Sequence, residues 1–155
     1  MRKFLLWISL WLSVLSVSAQ SKASNGTLFS FDNEGKAAYN LFIRFEKGSL
    51  TGVCFVKPCE GGWAGSVINE FGVKAFDFVY RAESQRVRLF HLVGFLNKWY
   101  IKRVLKRDWS YLLAYPQIEK KDKRRKITVT GNGTIVMENL RYRIGYTFVP
   151  LNSVK

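Results

Sequence analysis

The stretch NEFGVKAFDFVYR, residues 69–81, carries the pattern on which the fold prediction rests. Aromatic and aliphatic residues after Gly72 repeat with a period of two, which is typical of a β-strand with one buried face. Phe76, Phe78 and Tyr80 would share that face. Gly72 interrupts the pattern and favours a turn. We therefore predict a strand-turn-strand unit over these residues.

The same period of two recurs on both sides of this unit. It is clearest in YNLFIRFEKG (39–48). LTGVCFVK (50–57) is instead apolar on both faces, as expected of a central strand, and is predicted to form a hairpin with WAGSVINEF (63–71). QRVRLFHLV (85–93) is the next predicted strand. A closing hairpin is predicted from KITVT (126–130) and TIVMENLRYRIGYTFVPL (134–151). In its second arm, one face is expected to carry Val136, Leu140, Tyr142, Ile144, Tyr146 and Phe148, and the other face Arg141 and Arg143.

The period changes to a helical one in WYIKRVLKRDWSYLLAY, residues 99–115. Asn97 is the expected N-cap and Pro116 the expected stop. One side of the helix is apolar and includes Leu105 and Leu112, and the opposite side carries Lys102, Arg103, Lys106 and Arg107.

Asp108 falls within the apolar stripe of this helix. A buried carboxylate without a partner is costly, so we expect a hydrogen bond or a basic residue beside it. Together, the strands and the helix predict the α+β class. The expected form is a curved antiparallel sheet, a half-barrel of about seven or more strands, with one prominent amphipathic helix packed on it.

The start of the chain predicts export. Residues 1–19 combine a basic start, an apolar run and the small residues Val17-Ser18-Ala19, which is the pattern of a signal peptide. An uncleaved membrane anchor is the alternative. If the signal peptide is cleaved, residues 20–155 would form a single α+β domain with a basic loop at 117–126. The mature protein would be periplasmic or secreted.

The formal net charge is +14, and residues 98–126 carry most of the excess. A surface this basic indicates an anionic partner. Anionic membrane surfaces and acidic proteins are the expected partners. Nucleic acid is not expected, because the chain has an export signal and no recognised nucleic-acid-binding motif.

Few residues suggest catalysis. Glu70 and Asp77 could form a carboxylate pair in a glycosidase-like cleft, but turn-capping and cross-strand roles are commoner for such residues. His91, the single histidine, lies among apolar neighbours and is expected in or near the core. No nucleotide-binding loop is present. We predict a protein that is not an enzyme, with no cofactor and no metal site.

Cys54 and Cys59 could form a disulfide across a turn, since exported proteins meet oxidising conditions. If both cysteines lay on one strand, their odd spacing would point them to opposite faces and prevent the bond.

Twelve Phe, seven Tyr and five Trp are many for a chain of this length. A sheet and a helix so rich in apolar side chains could enclose a cavity for an apolar ligand. A filled core is the alternative, and it is the commoner outcome in proteins of this size.

Two stretches carry a resemblance to known proteins: GSLTGVCFVKPCEGGWAGSVINEFGVKAFDFVY (48–80) and FLNKWYIKRVLKRDWSYLL (95–113). They resemble a group of small exported proteins of Bacteroidetes-type bacteria, many of them lipoproteins. More remotely, they resemble lipoprotein carriers of the LolA/LolB type, whose curved sheet and helical lid enclose a cavity for acyl chains. This chain lacks the Cys that follows a lipoprotein signal.

The resemblance implies a lipid or lipoprotein acyl chain as ligand. The expected cavity residues are Phe76, Phe78, Tyr80, Leu105, Leu112, Tyr142, Ile144 and Tyr146. Lys102, Arg103, Lys106 and Arg107 would meet anionic head groups. The main functional hypothesis is therefore lipid binding in a half-barrel cavity. The alternative is an envelope protein with a filled core that docks on an acidic partner or membrane through its basic helix.

Overall fold

The computed structural model describes residues 27–118 and 121–151. The predicted signal peptide at 1–19 lies outside these residues. The described chain contains eight strands, a short 3-10 helix at Gly94–Asn97 and one α-helix, α1, at Trp99–Ala114. The strands are β1 (Ala37–Phe45), β2 (Gly48–Cys59), β3 (Gly62–Asn69), β4 (Lys74–Arg81), β5 (Arg86–Phe90), β6 (Arg125–Val129), β7 (Ile135–Asn139) and β8 (Ile144–Pro150).

All eight strands pair antiparallel in one sheet with the order β5-β4-β3-β2-β1-β8-β7-β6. The sheet curls into a half-barrel, and α1 links its two edge strands, β5 and β6. The buried side of α1 packs on the inner face of this sheet. The predicted α+β half-barrel with one prominent helix is therefore confirmed.

The strand-turn-strand prediction for residues 69–81 is also confirmed. Asn69 ends β3, and its side-chain oxygen accepts hydrogen bonds from the backbone N–H groups of Phe71 at 3.1 Å and Val73 at 2.8 Å. Gly72 has a φ of +76°, a backbone conformation that glycine adopts without steric cost. The turn thus depends on an Asn followed three residues later by a Gly.

The start of α1 differs from the prediction. Asn97 belongs to the preceding 3-10 helix, Lys98 holds the N-cap position, and no side chain caps the helix there. The helix ends at Ala114, close to the predicted stop at Pro116. The apolar pattern identified the body of the helix correctly because the pattern arises from packing, whereas the cap depends on local geometry.

The predicted second arm of the closing hairpin is two strands. β7 ends at Asn139, a turn covers residues 140–143, and β8 follows. Met137 pairs with Tyr146, so the prediction that Val136 shares a face with Tyr146 and Phe148 was wrong by one position. Leu140 and Tyr142, which were expected on that face too, lie in the turn. Inward-facing residues have odd numbers in β7 and even numbers in β8, because the turn lies between the two strands. A pattern read as one continuous strand misses this change.

The predicted basic loop at 117–126 ends two residues earlier than expected, because β6 begins at Arg125. Arg125 and Lys126 already pair with Asn139 and Glu138 in the β6–β7 ladder. The charged side chains do not prevent strand pairing here, because β6 is an edge strand with one side open to solvent.

The two cysteines are unpaired thiols on the same strand, β2. Cys59 lies five positions after Cys54 along the strand, which separates the two by roughly 16 Å and places them on opposite faces. A disulfide needs Cα atoms within about 7 Å. The possible disulfide between Cys54 and Cys59 is therefore absent from this fold.

Thiol labelling should distinguish the two cysteines. Cys54 is fully buried, and burial raises the pKa of its thiol, while Cys59 is half-buried near the β2–β3 turn. Because only an accessible thiolate reacts, we expect native protein to react with Ellman's reagent at Cys59 first. Urea should expose both thiols at once. Equal rates in the native state, or no free thiol in urea, would contradict this assignment.

Candidate functional site

The inside of the half-barrel is filled by Trp109 of α1. Its ring centroid lies 5.1 Å from that of Phe76, 4.8 Å from Phe78 and 5.7 Å from Phe148, and all four side chains are buried. These are the spacings of packed aromatic pairs. The indole Nε1 is buried and has no hydrogen-bond partner among the described residues. Trp109 thus occupies the space in which a central ligand would have to lie.

Asp108 is fully buried and is held by three side chains from the closing strands. Arg125 Nε of β6 donates to Oδ1 at 2.8 Å, and Asn139 Nδ2 of β7 donates to the same oxygen at 2.7 Å. Tyr146 of β8 donates its hydroxyl to Oδ2 at 2.8 Å. The expected partner of Asp108 is confirmed. One carboxylate connects α1 to the three strands at one end of the sheet.

Two further contacts complete this buried network. Arg125 also pairs with Asp122 in the segment before β6, and its guanidinium lies 5.7 Å from the ring centre of Tyr111. Burial, and then the charge of Asp108, raise the pKa of the Tyr146 hydroxyl well above its usual value. Tyr146 therefore remains a neutral donor, and the arrangement is that of a structural anchor.

A partly open groove lies beside this anchor, between the first half of α1 and β8. We call it the rim groove. It has a volume of about 510 Å³ and is lined by Phe45, Glu46, Trp99, Tyr100, Ile101, Arg103, Val104, Leu105, Arg107, Arg141, Tyr142, Ile144 and Tyr146. Most of these side chains are aromatic or aliphatic, and three are arginines. A groove of this size and lining is within the range of small-molecule sites.

A second and larger concavity lies along the outer side of α1. We call it the basic basin. It has a volume of about 1000 Å³ and is lined by Gln85, Arg86, Arg103, Lys106, Arg107, Ser110, Tyr111, Ala114, Ile118, Lys121, Asp122, Lys123, Arg124 and Arg125. Eight of these described residues are basic and one is acidic. The basin should therefore attract anions.

The structure divides the residues that were expected to line one cavity. Leu105, Tyr142, Ile144 and Tyr146 border the rim groove, although Leu105 and Tyr146 are themselves fully buried. Phe76, Phe78, Tyr80 and Leu112 are buried in the core. The basic residues expected at an anionic surface, Lys102, Arg103, Lys106 and Arg107, are all exposed on α1.

Glu70 and Asp77, the two carboxylates considered for a catalytic pair, bond to different residues in the structure. Glu70 accepts a hydrogen bond from Thr51 at 2.6 Å, whereas Asp77 accepts one from Ser66 at 2.5 Å across the β3–β4 ladder. Asp77 also contacts Lys74 Nζ at 3.0 Å and His91 Nδ1 at 2.7 Å. Each carboxylate thus has its own set of partners.

His91 is exposed, with a positive φ, and not in the core as its apolar neighbours suggested. Burial tends to raise the pKa of the Asp77 carboxyl group, but hydrogen bonds from Ser66, Lys74 and His91 outweigh it and hold that pKa below its usual value. Ser66 bonds to Asp77 and not to His91, so the cluster lacks the nucleophile-to-base contact of a catalytic triad.

Comparisons of the sequence find no matching protein-family model and no matching curated protein. A functional proposal therefore has to rest on the fold and on the two concavities. Across residues 27–118 and 121–151, no three His, Cys, Asp or Glu side chains are grouped so that they could hold a metal ion. No helix in the same residues has the length and apolar character needed to cross a membrane.

Sequence reasoning missed three residues that organise the site. Trp109 follows the apolar stripe of α1 four residues after Leu105, and this spacing could have identified it. The sequence gives no comparable indication for Arg125 and Asn139, because a single polar residue on a strand of five residues belongs to no repeating pattern. Their role depends on the folded position of β6 and β7 against Asp108.

Proposed function

We propose that this protein is a non-enzymatic binding protein, and that the rim groove holds the alkyl chain of an amphiphile with an anionic head group. The observation that carries the proposal is the composition of the groove. Most of its lining residues are aromatic or aliphatic, and its three arginines, Arg103, Arg107 and Arg141, outnumber its one acidic residue, Glu46. An alkyl chain gains about 0.8 kcal/mol for each CH₂ removed from water.

The arginines give the proposal its charge preference. Arg103 and Arg107 are four residues apart on α1 and thus on one face of the helix. The Arg141 guanidinium lies 5.2 Å from the ring centre of Tyr142. Guanidinium groups bind carboxylates and phosphates with two parallel hydrogen bonds, so an anionic head group fits beside these arginines.

The rim groove is preferred to the centre of the half-barrel because Trp109 fills the centre. A ligand there would have to displace a buried indole from three aromatic neighbours. At the rim, by contrast, Trp99 is 74% exposed and Tyr100 is 49% exposed. These two side chains have apolar surface available for a ligand without any loss of core packing.

Narrowing the rim groove should weaken alkyl-chain binding. Val104 is half-buried on its wall, and in Val104→Trp a larger side chain would occupy the space of the ligand. We expect the affinity for dodecyl phosphate, measured by isothermal titration calorimetry, to fall by about tenfold or more, the equivalent of roughly two lost CH₂ contacts.

Val73→Trp is the matched control, since it makes the same substitution at a residue that is 52% exposed in the β3–β4 turn. It should bind dodecyl phosphate as the unchanged protein does. If Val104→Trp also binds normally, the alkyl chain does not lie in the rim groove, and the proposal is wrong.

A second candidate function, docking on an anionic membrane surface, is favoured by one observation. Phe95 and Trp99 are 50% and 74% exposed beside the basic residues Lys102 and Arg103. Aromatic side chains next to cations are typical of segments that lie at the membrane–water interface. Docking would be driven by charge and by insertion of these rings.

Trp99→Ala should weaken binding to vesicles of phosphatidylglycerol and phosphatidylcholine by about tenfold in a sedimentation assay, because it removes a large inserted side chain. Phe71→Ala is the control, because Phe71 is 81% exposed in a turn outside both grooves. Binding should also weaken as salt rises. Equal loss in both variants, or no vesicle binding, would exclude this function and leave an acidic protein as the partner to seek.

A further inference from the structure

The rim groove and the basic basin are neighbours that share two residues. Arg103 and Arg107 border both of them. Successive turns of α1 place these side chains about 6 Å apart along one face. An anion held by this pair would therefore lie at the boundary between an apolar groove and a large basic concavity.

The basin holds more positive charge than one anion needs. Among the described residues, Lys106, Lys121, Lys123 and Arg124 line the basin without a carboxylate within ion-pair distance. Arg125 is different, because Asp108 and Asp122 already neutralise it. Like charges that converge on one concavity repel each other until an anion binds between them.

We infer that the two concavities form one composite site for an amphiphile whose head group carries two or more phosphate groups. The inference rests on the proposed function, since the alkyl chain lies in the rim groove. The first phosphate binds Arg103 and Arg107, and the next phosphate extends into the basin toward Lys121 and Lys123. The basin has about twice the volume of the groove, which suits a head group larger than a single phosphate.

Three probes test this site at one salt concentration by isothermal titration calorimetry: dodecyl phosphate, dodecyl diphosphate and inorganic pyrophosphate. We expect dodecyl diphosphate to bind about tenfold more tightly than dodecyl phosphate, because its second phosphate adds charge-assisted hydrogen bonds. Lys121→Gln combined with Lys123→Gln should remove most of that difference. Equal affinities for the two alkyl probes would overturn the inference.

Lys47→Gln combined with Lys57→Gln is the matched control. It removes the same charge from exposed residues outside the basin, and it should retain the preference for the diphosphate. If both double variants lose the preference equally, the effect is one of net charge, and the composite site is wrong.

Val104→Trp separates this inference from the proposed function. It should weaken both alkyl probes and leave pyrophosphate binding unchanged. If it weakens both probes but they bind equally well to the unchanged protein, the rim groove stands and the composite site falls. If it weakens neither probe, both proposals fail, even where the basin still binds pyrophosphate.

Discussion

Trp109→Ala should cost about 3–5 kcal/mol in the free energy of unfolding, measured by urea denaturation. The side chain is fully buried and packs against Phe76, Phe78 and Phe148 at the centre of the half-barrel. Its loss would leave a cavity that the rigid sheet can close only in part. Such a loss is a large share of the stability of a protein of this size.

Trp109→Phe is the informative companion, because it keeps an aromatic ring in place and removes the unpaired indole N–H. A buried polar group without a partner is itself destabilising, so this variant should lose less than about 1.5 kcal/mol. Trp99→Ala, at an exposed position on the same helix, should change stability by less than about 0.5 kcal/mol. A small effect of Trp109→Ala would contradict the role of this side chain as the centre of the packed core.

Asp108→Ala is the second large prediction, with an expected loss of about 3–5 kcal/mol by the same measurement. Removal of the carboxylate would leave Asn139 and Tyr146 buried without their partner and Arg125 with Asp122 alone. The energy lost comes mainly from these stranded polar groups, because a buried donor without an acceptor keeps the cost of leaving water.

Asp77→Ala is the matched control. Asp77 also contacts three side chains, those of Ser66, Lys74 and His91, but its cluster is partly exposed on the outer face of the sheet. Water can replace the lost contacts there, so we expect a loss of about 1 kcal/mol or less. Similar losses in the two variants would show that burial does not decide the strength of these networks.

The parts of the fold that depend on residue period were predictable from the sequence. The alternation in residues 74–81 and the helical pattern in residues 99–114 each report which face packs against the core. The turn at Gly72 was predictable for a similar reason, because few residues other than glycine adopt its backbone conformation. These features are local, and they persist wherever the elements lie in space.

The candidate site could not be predicted in the same way. It depends on distances between helix and strands, and the periodicity of residues along the sequence contains no information about those distances. The sequence placed Phe76, Phe78 and Ile144 in one cavity, but the three could share a cavity only if α1 left the centre of the sheet empty. One large side chain on α1, Trp109, fills that centre and confines the open space to the rim. The Asp108 network likewise required β6, β7 and β8 to converge on a single helical residue.

The pairing of β1 with β8 has a consequence for the order of folding. It joins Tyr39 to Pro150, almost the two ends of the described chain, so the loop it closes is among the longest the chain can form. Local hairpins such as β3–β4 can form early, but β1 has only one neighbour until β8 docks on it. Until that long loop closes, an apolar strand edge is open to other chains, so the partly folded protein is exposed to edge-to-edge aggregation.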